Sequence, residues 1–318
     1  MEQLEGSVPP SGTGNRQMRR ENLVRDDRVL LATRWLSAII IPFLLAAFGV
    51  LYLLPDRTGE LFAWNIQPRM TAMMLGEAYL AGVYFFVRAV LSTRWHWVAV
   101  GFLPVTTFAT LMGISTILHW NRFNHGHIAF WTWVVLYFTT PFLVPAVWWH
   151  NRKTDPGTLD TRDLLVPALV RRVIGILGAG AVLISLLFFL QPDFMIGVWP
   201  WKLTPLTARV MGTLFALAGA GAICIALDAR WSALRIAFQS QMIALALVVL
   251  AIVFSWGDFR QANPLTWVFV AGMLFLLVTS PLLYLWMERN RRVLATGSSS
   301  QQITNAREET LPPPMEVS

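Results

Sequence analysis

Eight times the chain runs for about 20 residues almost without charge. At roughly 1.5 Å rise per residue, such a run is the length an α-helix needs to cross the ~30 Å hydrocarbon layer of a bilayer. Water is absent there, so every backbone N–H and C=O must be satisfied inside the segment, and a helix does this alone. The runs are Trp35–Leu54, Met70–Val90, Trp97–Leu118, Ile128–Trp148, Val173–Leu190, Ala208–Leu227, Ala233–Phe254 and Trp267–Trp286. Only 14% of the residues are charged, against roughly 25% in soluble domains, too few to clothe a water-facing surface. A nucleic-acid-binding domain, a secreted disulfide scaffold and an ordinary cytosolic enzyme are thereby excluded. The expected fold class is all-α: a polytopic membrane protein of eight transmembrane helices.

The first run follows more than 30 polar residues and is about 20 long, whereas a secretory signal has an apolar stretch of about 7 to 15 behind a short basic lead. It is therefore expected to remain as a span. Basic residues settle on the cytoplasmic side. Of the 25 Lys and Arg, only Arg57, Arg69, Arg122, Lys202, Arg209 and Arg260 fall on the other side of the alternating layout, which predicts both termini in the cytoplasm and a plasma or inner membrane. Met1–Asp26 and Ser298–Ser318 are rich in Pro, Gly, Ser, Gln and Glu, and such segments bury too little to offset the entropy of ordering. Residues 1–30 and 293–318 are accordingly expected to be disordered tails. The one cysteine, Cys224, lies in an apolar run and reads as a small buried side chain.

Sliding the sequence along itself reveals one dominant period. Thr71-Ala72 with Gly76 recurs as Thr207-Ala208 with Gly212, Arg94-Trp95 as Arg230-Trp231, and Trp120 with Phe123 as Trp256 with Phe259, all at an offset of 136. Pro55-Asp56 recurs as Pro192-Asp193 at 137, Asn151-Arg152 as Asn290-Arg291 at 139, and Thr139 with Pro141 as Thr279 with Pro281 at 140. This points to a tandem duplication: a first four-helix repeat over 31–153, a cytoplasmic linker over 154–170 and a second repeat over 171–292. Four spans per unit is an even number, so the two repeats run parallel, with a pseudo-two-fold axis along the membrane normal. The expected seam joins the second helices through the small faces of Gly76 and Gly82, and of Gly212, Ala216, Gly219 and Ala220, since close packing at small residues drives helix association in lipid. Gly175, Gly178 and Gly180 offer the same on the fifth span.

Glu77 is the most informative polar residue. It lies about 10 Å inside the span boundary by helical rise, and a charge at depth costs on the order of 2.5 kcal/mol or more, which marks intramembrane carboxylates as functional candidates facing the interior. Its repeat partner is Thr213, and one turn outward stands Arg209, so the seam would let Glu77 pair with Arg209. Glu77, Arg209 and Thr213 are the transport or coupling candidates; the competing reading of Glu77 is a protonated or ion-paired interhelical contact. The fourth helices carry Thr139-Thr140-Pro141 and Thr279-Ser280-Pro281. Proline frees the carbonyl four residues back, at Tyr137 and Leu277, making Thr140, Pro141, Ser280 and Pro281 candidate kinks, static or hinged.

His119, His125 and His127 cluster in one outer loop and form a candidate metal set, imidazole being the commonest ligand, although their spacing fits no standard motif. All five histidines precede residue 151, which argues against a bis-histidine haem shared by the two halves. Gln239 and Gln241 lie about 200° apart on a helix, so one of them is expected to bond a neighbouring helix. Tryptophans at the span ends form an aromatic belt. No cofactor is implied, and enzyme activity is not expected. The partners implied are the lipid bilayer and an unidentified small molecule or protein, not nucleic acid. Two functions follow from these features: a permease or carrier-like protein with a path at the repeat interface, or a non-catalytic membrane scaffold or assembly factor.

Overall fold

Each apolar run becomes a helix in the computed structural model, which describes residues 25–158 and 163–309. They are α1 (Leu31–Phe48), α2 (Arg69–Leu91), α3 (Ala99–Leu118), α4 (Ile128–Asn151), α5 (Ala168–Leu190), α6 (Pro205–Leu227), α7 (Trp231–Phe254) and α8 (Pro264–Glu309). Eight helices in the structure are long and apolar enough to cross a bilayer, as expected. Where the boundaries move, local chemistry explains it. α5 begins five residues before Val173, directly after Pro167, because proline accepts a position ahead of a helix but not inside one. α6 begins at Pro205, where Thr204 and Thr207 form a reciprocal capping box that satisfies two end donors.

The chain ends depart from expectation. Residues 25–30, assigned to a disordered tail, are anchored: Asp27 and Val29 are buried, and Asn151 accepts from Leu30 N (2.9 Å) while donating to the Arg28 carbonyl (2.9 Å). α8 stays helical to Glu309, beyond the expected tail boundary at 293. Residues 1–24, 159–162 and 310–318, which hold the rest of both tails and part of the linker, lie outside the described residues.

Hydrogen bonds sort the connections onto two faces. On one, Asp27 N donates to Thr154 O (2.9 Å), Trp95 N to Asp27 O (2.7 Å) and Val166 N to Ala229 O (2.9 Å). On the other, Asn124 N donates to Ala63 O (2.8 Å) and Arg260 N to Pro200 O (2.7 Å). The first holds most of the arginines and is called the basic face below. Both ends of the described chain reach it, since Trp231 Nε1 also meets Glu288 near the end of the α8 span (3.4 Å).

Four helices make the centre: α2 packs on α7 and α3 on α6, with lesser contact between α2 and α6 and between α3 and α7. α1 covers α2, α5 covers α6, α4 covers α3 and α8 covers α7. The second helices therefore do not form the main seam. Their small faces turn instead to the first helix of the same half. A Cβ at Gly76 would stand 2.9 Å from Tyr52 Cβ on the α1 side, and one at Gly212 would stand 2.8 Å from Phe188 Cβ on α5. Gly219 faces Val182 and the Gly178 carbonyl, whereas Gly180 has nothing within 4 Å. An added Cβ at Gly113 would meet the Tyr137 carbonyl at 2.8 Å, so the carbonyl freed by Pro141 is the one that lies against the bare backbone of α3.

Several contacts recur one period further along. The Arg28–Arg94 bridge is matched by Leu165–Arg230. Trp131 Nε1 donates to His125 O (3.0 Å), as Trp267 Nε1 does to Gln261 O (3.1 Å). Arg34 donates to Val90 and Ser92 carbonyls, and Arg171 to those of Ala226 and Leu227.

Candidate functional site

Glu77 stands eight residues into α2, about 12 Å along the helix, and is 7% exposed. Its Oε2 is buried with no hydrogen-bond partner among the described residues. Immediately before it, Gly76 lets α2 close on Leu51 and Tyr52. These two residues belong to a π-helical turn, Gly49–Leu53, that ends α1, and such turns are frequent at functional positions. Tyr52 continues across the centre to donate to the Leu247 carbonyl of α7 (2.7 Å). Farther along the same α2–α7 contact, Tyr84 donates to Gln239 Oε1 (2.5 Å), Gln239 Nε2 donates to Tyr284 (2.7 Å) and Ser240 donates to the Ala81 carbonyl (2.8 Å). Gln239 thus bonds neighbouring helices while Gln241 is exposed, as the 200° separation requires.

Arg209 does not pair with Glu77. Its Nη1 donates to His119 Nε2 (2.7 Å), bridging α6 to the end of α3, and its Nε is buried without a partner among the described residues. Arginine can only donate, so His119 accepts through Nε2 and carries its proton on Nδ1. Burial first, then the Arg209 and Arg122 charges, hold the His119 imidazole below its usual range. Thr213 is fully buried, and its hydroxyl closes on its own helix at Val210 O (2.7 Å). The three coupling candidates therefore do not form one cluster; distance along the helix put Arg209 nearer His119 than the Glu77 level.

The other candidates are engaged one by one. His127 Nδ1 accepts from Ala129 N (3.1 Å) and caps α4, while the His125 ring packs edge-on against Phe130 at 4.7 Å. No group of three His, Cys, Asp or Glu among the described residues is placed to hold a metal ion. Thr140 donates to Leu136 O (2.7 Å) and Thr279 to Phe275 O (2.8 Å), and α4 and α8 run on through Pro141 and Pro281. Ser280 sits half-buried in α8.

A second polar cluster, on the basic face, escapes the sequence reading. His96 Nδ1 meets Asp27 Oδ2 at 2.5 Å, His96 Nε2 meets Ser232 Oγ at 2.9 Å, and Ser232 Oγ is hydrogen-bonded to Asp163 Oδ2. The backbone closes matching links, His96 N to Asp27 Oδ1 and Ser232 N to Asp163 Oδ1, both 3.0 Å. Asp163 is Asp27 advanced by 136 and Ser232 is His96 advanced by 136, so the period contained this signal. Beside it, Arg230 forks onto Asp155 (2.8 and 3.0 Å) and onto Asp228 (2.8 Å). Burial alone would raise the Asp155 carboxyl, but the Arg230 hydrogen bonds prevail and hold it below the usual carboxylate range.

Two cavities, of about 120 and about 350 Å³, open near the basic ends of the helices, and neither is lined by Glu77. No protein family, curated protein or solved structure matches the chain. It is a membrane-type bundle of eight apolar helices, and its function rests on its own residues.

Proposed function

We propose that the protein is a carrier-like permease made of two parallel four-helix repeats, with Glu77 as the proton- or cation-binding group at their interface. The observation that carries this reading is the Glu77 carboxyl oxygen, buried on a central helix with no donor among the described residues. Leaving a buried polar atom unsatisfied costs about 1–3 kcal/mol, a burden that a purely architectural side chain has no reason to bear. The adjoining π-helical turn supplies backbone able to rearrange, and the recurrence of bridges and arginine contacts at one period supports the duplicated architecture. The concentration of arginines on one face favours cytoplasmic termini in a plasma or inner membrane.

Proteoliposomes loaded with a pH-sensitive dye test the reading. An imposed proton or monovalent-cation gradient should drive a flux that Glu77→Gln abolishes and that Arg57→Gln, an exposed change next to Glu60, leaves intact. Equal flux through the Glu77→Gln protein removes the coupling role. A scaffold or assembly role is the second reading, favoured by the closed centre, where Tyr52, Tyr84, Gln239 and Ser240 tie α2 to its neighbours. It is supported if the native protein passes no ion and co-purifies from its membrane with a stoichiometric partner.

A further inference from the structure

The smaller cavity is lined by three arginines. Its lining brings together Arg88 from the last turn of α2, Arg235 from the first turns of α7 and Arg291 from α8, with Trp97, Trp231 and Ser232 around them. Three guanidiniums converging from three helices repel one another unless something negative lies between them. Glu288 does part of this, bonding Arg291 Nε at 3.1 Å and standing 3.9 Å from Arg235. Asp163 also borders the cavity, but its oxygens are taken by Ser232 and by the Leu164 N–H. Arg88 is half-buried and has no side-chain hydrogen bond or ion pair among the described residues.

Size and depth narrow the ligand. A volume of about 120 Å³ is several times what one water needs, which admits one tetrahedral oxyanion with some hydration. Half-buried Trp97, just ahead of α3, places the cavity at the level where indoles sit between hydrocarbon and water. Arginine forks match phosphate oxygens in pairs, and basic pockets between helices at this level are where acidic lipid headgroups dock. We propose that this cavity binds a phosphate group, presented at the membrane surface by an anionic phospholipid, with Arg88 as its principal ligand and Arg235 and Arg291 as flanking donors. The site is independent of Glu77 and of the transport reading.

The test uses the full-length protein in neutral detergent micelles. Thermal unfolding and native mass spectrometry are followed while dioleoyl phosphatidic acid, dioleoyl phosphatidylcholine or inorganic phosphate is titrated in. Saturable stabilisation and a retained adduct with phosphatidic acid, absent with phosphatidylcholine, are expected. Arg88→Gln, which breaks no side-chain hydrogen bond or ion pair among the described residues, should weaken that binding about tenfold or more, the equivalent of one charge-assisted hydrogen bond. Lys202→Gln on the opposite face should not change it. If inorganic phosphate protects as well as the lipid, the phosphate site stands but its source is a soluble phosphate ester. Equal effects of both lipids, or full binding by Arg88→Gln, overturn the proposal.

Discussion

Replacing Glu77 with methionine should make the protein more stable. Methionine has nearly the length of glutamate, fills irregular spaces by rotating about three bonds and carries no oxygen in need of a donor. Among the described residues one Glu77 oxygen is buried without a partner, and the residue is only 7% exposed. Desolvating such an atom costs about 1–3 kcal/mol, and Glu77→Met removes that cost without opening a cavity. A gain of about 1–3 kcal/mol follows. At roughly 2 °C per kcal/mol, the lower end for chains of a few hundred residues, the apparent melting point should rise by about 2–6 °C. Fluorescence of the native tryptophans during heating, in one detergent at matched protein concentration, reads this directly. Glu77→Gln keeps a polar head and should gain less. A fall of 2 kcal/mol or more in Glu77→Met would mean that the carboxyl holds a stabilising partner, and the argument from an orphaned oxygen would fail. A gain in stability joined to a loss of ion flux is the pattern expected of a side chain kept for activity.

Two further outcomes follow from neighbouring contacts. Gly219→Ala would push a methyl to 2.8 Å from Val182 Cγ2 and 2.9 Å from the Gly178 carbonyl, an overpacking expected to lower stability by about 1–3 kcal/mol. Gly180→Ala, with nothing within 4 Å, should instead raise it by about 0.5–1 kcal/mol through helix propensity, and thermal melts of the two proteins should move in opposite directions. Arg209→Gln removes one of the two cations that depress His119. The imidazole should then titrate closer to its ordinary value, an upward shift visible by NMR of labelled histidine; an unmoved titration would show that Arg209 lies elsewhere in solution.

The spans were legible because lipid leaves a chain of this composition little choice, and helix length follows from bilayer thickness. Interhelical partners were less legible. The 136-residue period pairs Gly76 with Gly212, yet it says nothing about which neighbour a face will meet. Both glycines face α1 or α5 of their own half, because those helices carry Tyr52 and Phe188 at matching depth. The Glu77–Arg209 pairing failed for a related reason. One helical turn separates Arg209 from Thr213, the Glu77 equivalent, and arginine uses its length to reach the nearer acceptor at the end of α3. The Asp27–His96–Ser232–Asp163 chain was hidden because Asp27 sits in a stretch whose composition resembles a loose tail, although backbone pairing with Trp95 and Thr154 holds it.

That anchoring has a bearing on how the molecule is made. Asp27 leaves the ribosome early, but the imidazole it grips is 69 residues downstream, and the hydroxyl beyond that imidazole lies a further 136 along. The latch at the front of the chain therefore shuts in two stages: Asp27 can meet Trp95, His96 and Thr154 once the fourth helix has been made, and the imidazole gains its Ser232 partner only as the seventh begins to emerge. Nascent proteins halted before Thr154 should keep an open front end, within reach of quality-control proteases, whereas those halted between the fourth and seventh helices should already hold it.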